Sequence, residues 1–104
     1  MGEIDIAQAA VARTRGVLLV DVREQEEYAD GHVPGAVNIP MEHLPSRVKE
    51  LDRDAPVHVI CASGRRSAAM VDFLTEAGFD ALNVVGGTSA WIRAGHPIET
   101  RETR

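Results

Sequence analysis

The segment that most constrains the fold is an apolar run followed at once by a polar loop and a helical pattern. The run is Val57–Ile60, and the loop that follows it, at 61–67, reads CASGRRS. After this loop, apolar residues recur at helical spacing as far as about Ala77. The order predicts a strand, a short loop and a helix, and it places the only cysteine, Cys61, at the carboxyl end of the strand. Ligands bind at that end in open α/β sheets.

Similar units come before and after this segment. Predicted strands cover 17–20, 36–39 and 81–85, and Ile4 to Ile6 can form at most a short strand. Predicted helices run from an N-cap at Asp5 to about residue 16, over 24–28, over 42–51, and onward from 86–89. Strands that alternate with helices in this way indicate an α/β fold with about five mostly parallel strands and helices on both faces. Right-handed crossovers would then bring Asp21, Cys61 and Gly86 to one sheet edge.

Composition narrows the function. The 104 residues suit one domain, and a net charge of -5 disfavours nucleic acid and an anionic membrane as partners. No apolar run reaches membrane-spanning length, and the first residues show no signal-peptide pattern. A single cysteine excludes an internal disulfide and fits a reducing compartment, so we expect a cytoplasmic protein. The polar residues 99–104 are expected to form a flexible tail.

The position of Cys61 favours a reactive thiol. Loop N–H groups and the amino end of the following helix can stabilise an anion there, which lowers a cysteine pKa. Arg65 and Arg66 add positive charge beside it. The alternative is a small buried hydrophobic residue, the more frequent role of a lone cysteine. The serines, the glycine and the two arginines that follow favour the reactive thiol.

Other residues are assigned supporting roles. Asp21, at the end of a strand, could hydrogen-bond Arg23 or the loop backbone, or tune the site electrostatically. Arg23 and Glu27 are spaced to pair if the helix over 24–28 starts early. Ser63 and Ser67 stand at the helix entry.

The remaining histidines and the tryptophan are interpreted structurally. His32 lies in a glycine- and proline-containing turn, which it more simply fixes than uses for proton transfer. The other histidines lack ligand spacing, so neither a metal nor a cofactor is predicted. Trp91 is predicted to lie in the core.

Three segments resemble the rhodanese-like sulfurtransferase family, and in particular its small single-domain members. The first segment reads LVDVR at 19–23, EY at 27–28, GHVPGA at 31–36 and NIP at 38–40. The second is the loop CASGRRS, and the third is GG at 86–87 with AW at 90–91. The resemblance runs from about Ile4 to Ile98 and implies one domain over 4–98 with the three-layer rhodanese-like fold.

The resemblance implies sulfur transfer by double displacement. Cys61 would take a sulfur from thiosulfate or another small anionic sulfane donor, become a persulfide, and pass the sulfur to cyanide or a thiol. A thioredoxin-like or other sulfur-accepting protein is an alternative acceptor. The loop residues Ala62, Ser63, Gly64 and Arg65 would surround the transferred sulfur, and Arg66 would bind the donor oxygens. Ala62 departs from the basic residue that many thiosulfate-using members carry, and Arg65 could compensate.

Two other classes share this fold. Cysteine phosphatases and arsenate reductases have an arginine six positions after the cysteine, whereas this chain has Ser67 there and Arg66 one position earlier. The shorter loop suits a single sulfur atom better than a phosphate. The second class, rhodanese-like binding modules or carriers that act with a partner protein, usually lacks the cysteine when inactive.

Overall fold

The chain folds around a five-stranded sheet in which every neighbouring pair of strands is parallel. The structure is a computed structural model and describes residues 2–100. The strands, in chain order, are β1 (Glu3–Ile4), β2 (Leu18–Asp21), β3 (Val37–Asn38), β4 (Val57–Ile60) and β5 (Ala81–Val84). Their order across the sheet is β1-β5-β4-β2-β3. The α/β fold predicted from the alternation of strands and helices is therefore confirmed.

Five helices connect or follow these strands. They are α1 (Ile6–Thr14), α2 (Gln25–Asp30), α3 (Leu44–Arg47), α4 (Arg65–Glu76) and α5 (Gly87–Arg93), and a 3-10 turn, Val48–Glu50, continues α3. Asp5 caps α1 as predicted, since its carboxylate accepts the Gln8 N–H at 2.8 Å. The end predicted for α4 is also confirmed, because Ala77 is its C-cap and Gly78 follows with a φ of +96°.

The continuous helix predicted over 42–51 is wrong. The segment forms only α3 and the 3-10 turn. Pro45 lies in the first turn of α3 and has no N–H to donate to the carbonyl four residues earlier, so a helix cannot start regularly at residue 42. Leu44 and Val48 still pack against the core, because their side chains face the sheet in either helical form.

Both faces of the sheet are buried, which explains the continuous apolar runs of its strands. Along β4, Val57 and Val59 pack with the core formed against α4, whereas Ile60 packs with the core formed against α1 and α5. Trp91 of α5 is 1% exposed in the second core, as predicted. The three layers of helix, sheet and helix follow from this alternation.

The strand register brings the predicted residues to one edge. Asp21, the last residue of β2, lies opposite Ile60, the last residue of β4, so Asp21 and Cys61 leave the sheet at the same edge. On the other side of β4, Val59 lies opposite Asn83 of β5. The loop that contains Cys61 therefore lies between the carboxyl ends of two neighbouring strands.

Part of the predicted flexible tail forms contacts in the structure. The backbones of Glu99 and His32 exchange two hydrogen bonds of 2.9 Å in an antiparallel bridge. Residues 101–104 lie outside the described residues, so the flexibility predicted for them stays a prediction. Within residues 2–100, no helix combines the length and the apolar character needed to cross a membrane.

Candidate active site

Cys61 follows β4 directly and has no solvent exposure. Its Sγ accepts a hydrogen bond from the Gly64 N–H at 3.1 Å and another from the Ser67 hydroxyl at 3.3 Å. Gly64 has a φ of +104°, a left-handed conformation that glycine adopts easily and that turns the chain into α4. The loop thus curls around the sulfur atom before the helix begins.

The hydrogen bonds at the sulfur favour its ionised form. Burial by itself raises the pKa of Cys61. The Ser67 hydroxyl and the backbone N–H groups of Ser67, Gly64 and Ser63 lower the pKa by more than burial raises it, so the pKa lies below its ordinary value. The sequence predicted a lowered pKa partly from the adjacent arginines, but the loop donors account for it in the structure.

A buried polar chain supports this arrangement and includes Asn83, a residue that the sequence analysis missed. The Ser67 Oγ lies 2.6 Å from the Oδ1 of Asn83, and the Asn83 Nδ2 donates to the Gly64 carbonyl at 3.2 Å. A serine hydroxyl has one hydrogen, so Ser67 can donate to Asn83 or to the sulfur at any one time. The sequence signal for the role of Asn83 was its position inside the otherwise apolar run 81–85, because a buried amide requires polar partners.

Arg66 lies in the first turn of α4 and forms a two-pronged ion pair with Glu27. The two guanidinium nitrogens Nη1 and Nη2 lie 2.8 and 3.0 Å from the two Glu27 carboxylate oxygens. The Arg66 guanidinium lowers the pKa of the Glu27 carboxyl to about 2. Arg65, by contrast, is exposed to solvent. Only one of the two predicted arginines therefore has a defined position beside the cysteine loop.

The condition for pairing Arg23 with Glu27, an early start of the helix predicted over 24–28, is not met. Helix α2 begins at Gln25, so Arg23 lies before it and cannot share a helical face with Glu27. Arg23 instead donates to the buried Asp21 carboxylate from Nε at 3.0 Å and from Nη2 at 2.8 Å. Nη2 also donates to the Gly31 carbonyl at 2.9 Å. The hydrogen bond predicted between Asp21 and Arg23 is confirmed, and it ties the end of β2 to the turn after α2.

The amino end of α5 holds the cysteine loop from the other side. The N–H of Thr88 donates to the Cys61 carbonyl at 2.8 Å, and the N–H of Ser89 donates to the Ala62 carbonyl at 3.0 Å. Gly87 has a φ of +60°, and a Cβ there would lie 2.7 Å from the Ala62 carbonyl oxygen and would overlap that of Cys61. The close approach explains why a glycine stands at 87, the first residue of this helix.

His32 stabilises the turn that follows α2, and its side chain contacts Tyr28. It is 1% exposed, its Nδ1 lies 2.6 Å from the Tyr28 carbonyl oxygen, and its ring stacks on that of Tyr28. Across residues 2–100, no group of three or more histidine, cysteine, aspartate or glutamate side chains is placed to hold a metal ion.

The structure brings some of the predicted site residues together and leaves others apart. Gly64 and Ser67 contact the sulfur, whereas Ser63 contributes only its backbone and has an exposed side chain. Ala62 is half-buried and follows the cysteine directly. The arrangement surrounds a thiol of lowered pKa with N–H and O–H donors, and such donors suit attack of its thiolate on an electrophilic atom and retention of a small anion.

Comparison with known proteins gives a consistent result. Residues 5–94 match the sequence profile described as "Rhodanese-like domain". A protein named sulfurtransferase from Allochromatium vinosum is 41% identical over 88% of this chain and 87% of its own length. A thiosulfate sulfurtransferase of Pseudomonas syringae is 34% identical over 89% of this chain and 88% of its own length.

Two further similarities concern a carrier and a solved structure. A Bacillus subtilis protein whose name includes sulfur carrier protein is 40% identical over 70% of this chain, which corresponds to 40% of its own length. The crystal structure of a rhodanese-related protein from Thermoplasma volcanium superposes with a TM-score of 0.88. That chain is 36% identical, and the match covers 95% of this chain and 98% of the other.

Proposed function

The chain belongs to the rhodanese-like domain family, and on that premise we propose that it transfers sulfane sulfur from thiosulfate or a related donor through a persulfide on Cys61. Sulfur transfer in general follows from the family and from the names of the relatives. The donor, the acceptor and the roles of individual residues are the proposal. The lone free thiol also leads us to propose a cytoplasmic location.

In the first half-reaction, the Cys61 thiolate attacks the outer sulfur of thiosulfate. A new S–S bond forms to Cys61, the S–S bond within thiosulfate breaks, and sulfite leaves with the electron pair of that bond. Arg66 lies in the first turn of α4, directly after the loop, and its N–H groups that do not contact Glu27 can bind the sulfonate oxygens. The persulfide then occupies the loop between the Gly64 N–H and the Ser67 hydroxyl.

In the second half-reaction, a thiophilic acceptor attacks the outer sulfur of the persulfide. The bond between the two sulfurs breaks, Cys61 leaves as the thiolate, and the acceptor carries the sulfur away as thiocyanate or as a new persulfide. The donors that lower the pKa of Cys61 assist this step too, because a thiol of lower pKa is a better leaving group. No external oxidant or reductant is required in either half-reaction.

The observation that carries the proposal is the pair of donors on the Cys61 sulfur, at 3.1 and 3.3 Å. It is tested by intact-mass spectrometry after incubation with thiosulfate. The wild-type chain should gain the mass of one sulfur atom and lose it on addition of cyanide. Cys61→Ser should show neither change. A wild-type chain that never gains sulfur would overturn the proposed donor.

Loop length separates sulfur transfer from phosphatase chemistry. Four residues lie between Cys61 and Arg66, one fewer than in the related phosphatase loops described above. We propose that this loop fits one persulfide sulfur and not the three non-bridging oxygens of a phosphate. The wild type should turn over thiosulfate with cyanide and leave p-nitrophenyl phosphate intact. Hydrolysis of the aryl phosphate through Cys61 at a comparable rate would contradict the assignment.

A sulfur carrier that works with a partner protein is the second candidate function. It is favoured by the relative whose name includes sulfur carrier protein, since that similarity covers only part of a longer chain. The two functions differ in the acceptor that discharges the persulfide. A carrier would hold its persulfide in the presence of small acceptors and release it only to a protein. A free-standing sulfurtransferase would release it to cyanide or a small thiol.

A further inference from the structure

A groove of about 200 Å³ opens beside the cysteine loop and has no role in the chemistry described so far. Ala62, the residue after the cysteine, forms one wall. Ile92 of α5 and Ile98 line it as well, and these side chains are 49% and 38% exposed although both are large and apolar. The groove can therefore bury a small apolar group beside the residue that follows the cysteine.

A residue that lines the same groove, Thr88, has a buried hydroxyl without a hydrogen-bond partner. Thr88 lines the groove and is only 3% exposed. Its Oγ1 is the single buried side-chain nitrogen or oxygen within residues 2–100 that has no hydrogen bond. A buried hydroxyl left in this state lowers stability, so its presence needs a reason. The backbone N–H of Thr88 donates to the Cys61 carbonyl, so Thr88 lies directly beside the cysteine loop.

Among the described residues 2–100, the charges around the groove do not cancel. The charge of Arg23 is balanced by Asp21, with which it forms a buried ion pair. The charge of Glu27 is balanced by Arg66. Asp30 also lines the groove, is exposed, and forms no ion pair with any other residue in the described range 2–100. One carboxylate is thus left over, and it favours a positively charged ligand.

We propose that this groove binds the sulfur acceptor, and that the acceptor is a small thiol with a short carbon body and a protonated amine. The carbon body would pack between Ile92 and Ile98, and the amine would lie near Asp30. The Thr88 hydroxyl would hydrogen-bond the ligand, and the thiol would face the cysteine loop past Ala62. This inference rests on the proposed persulfide on Cys61 and specifies which acceptor discharges it.

The transfer step balances without any other reactant. The acceptor thiol first loses its proton to solvent, and the resulting thiolate attacks the outer sulfur of the Cys61 persulfide. A bond forms between the acceptor sulfur and the outer sulfur, while the bond between the outer sulfur and Cys61 breaks. Cys61 keeps that electron pair and returns to the thiolate, and the acceptor leaves as a persulfide.

The test measures how fast three thiols of different charge discharge the sulfur-loaded protein. The probes are cysteamine, which is cationic, 2-mercaptoethanol, which is neutral, and mercaptoacetate, which is anionic. Loss of the extra sulfur is followed by intact-mass spectrometry. Each rate is divided by the thiolate concentration and by the rate of the same thiol with glutathione persulfide, which removes differences in intrinsic reactivity. Loading with polysulfide allows the measurement even if thiosulfate does not load the protein.

We expect the normalised rate to fall in the order cysteamine, 2-mercaptoethanol, mercaptoacetate. Asp30→Asn should reduce the advantage of cysteamine over 2-mercaptoethanol by about threefold to fivefold, the scale of one partly exposed ion pair. Thr88→Val has nearly the same shape without the hydroxyl and should slow discharge by cysteamine. Glu26→Gln is the matched control, because it removes the same charge from α2 at a residue that does not line the groove.

Equal normalised rates for the three thiols would overturn the proposed acceptor. So would a preference for cysteamine that Asp30→Asn leaves unchanged. Because Asp30 is exposed, its substitution should not impair folding, and the outcome does not depend on the stability of the Thr88 variant. Failure of thiosulfate to load Cys61 would instead count against the proposed donor and leave the discharge comparison intact.

Discussion

At the scale of single residues, the lowered pKa of Cys61 depends on one hydroxyl more than on the two arginines. The Ser67 hydroxyl lies 3.3 Å from the Cys61 sulfur, whereas Ser63 lowers the pKa of Cys61 through its backbone N–H only. The two serines are two and six positions after the same cysteine, yet only Ser67 is buried. They form a natural pair for separating a side-chain effect from a backbone effect.

Ser67→Ala should raise the pKa of Cys61, because it removes the side-chain donor that most lowers this pKa. Ser63→Ala should leave the pKa unchanged, because its backbone N–H remains. The measurement is the pH midpoint of iodoacetamide alkylation, which should lie below about 8.5, the value of an unperturbed cysteine, for the wild type. A wild-type midpoint at or above that value, or equal shifts in the two variants, would refute this account of the thiol.

Arg66 is the residue expected to bind a donor anion, and Glu27 competes for it. Arg66→Ala should lower kcat/KM for thiosulfate. The corresponding loss of transition-state stabilisation should be about 1.5–3 kcal/mol, the scale of a hydrogen bond to a charged group. Arg65→Ala should have a smaller effect that fades with added salt, because Arg65 is exposed. Equal, salt-insensitive losses in the two variants would show that these roles are assigned wrongly.

Glu27→Gln should increase kcat/KM for thiosulfate by about threefold to tenfold, equivalent to roughly 0.7–1.4 kcal/mol. The neutral amide releases the guanidinium and removes a negative charge from the path of the anion. A glutamine also keeps the capping contact of Glu27 with the Glu24 N–H, 2.9 Å long, so α2 should remain intact. Glu26→Gln is the control for charge alone. A decrease for Glu27→Gln would mean that Glu27 mainly positions Arg66.

At the scale of elements, the close contact of α5 with the cysteine loop should be essential to both stability and activity. Gly87→Ala combines a φ of +60° with overlap against the backbone of Cys61 and Ala62, and should cost roughly 2–5 kcal/mol of unfolding free energy. Gly95→Ala is the matched control, with a φ of +84° but no neighbouring atom within 4 Å. It should cost only about 1–2 kcal/mol.

Urea unfolding measures the loss of unfolding free energy in each variant. The rate of persulfide loading on Cys61 measures whether the cysteine loop still functions. Gly87→Ala should also slow sulfur loading, because the Cys61 and Ala62 carbonyls must move. Equal losses of unfolding free energy in the two variants would show that only the positive φ matters. The close approach of α5 to the cysteine loop would then make no contribution to the difference.

The same elements show what the sequence could and could not predict. Apolar runs and helical spacing located the strands and the ends of α1 and α4, because these depend on local patterns. The strand order placed Asp21 beside Cys61 through general rules for parallel sheets. The pairing of Arg66 with Glu27, 39 positions apart, depends on how α2 and α4 pack, which no local pattern specifies. The hydrogen bond from Asn83 to the Gly64 carbonyl likewise joins residues far apart in the sequence. For α3, by contrast, a local signal was present, because Pro45 interrupts the pattern of a continuous helix.

At the scale of the whole molecule, the central strand couples one buried histidine to global stability. His58 lies in the middle of β4, opposite Leu19 on one side and Leu82 on the other, and is 8% exposed. Burial lowers the pKa of His58, and the nearby charge of Asp80 offsets this only in part. The native protein therefore holds this imidazole neutral at a pH where the unfolded chain would already bind a proton.

Because the pKa of His58 is lower in the native protein than in the unfolded chain, the unfolding free energy depends on pH. Below about pH 6.5, the value of an unperturbed histidine, the unfolded chain takes up a proton that native His58 resists, so the unfolding free energy falls with falling pH. The fall ends once the pH drops below the lowered pKa of native His58, and above about pH 6.5 the residue contributes no pH dependence. Because β4 pairs with both β2 and β5, loss of this strand unfolds the whole sheet.

His58→Leu should reduce the loss of stability between about pH 7.5 and about pH 5.5, a range that brackets the histidine value. A leucine suits the site because its two cross-strand neighbours are leucines. Urea unfolding at the two pH values gives the change for each protein. His43→Gln is the control, since it removes an imidazole that is exposed and lies outside the sheet. If wild type and His58→Leu lose stability in parallel, the titration of His58 is not coupled to unfolding, and the pH dependence must arise elsewhere in the chain.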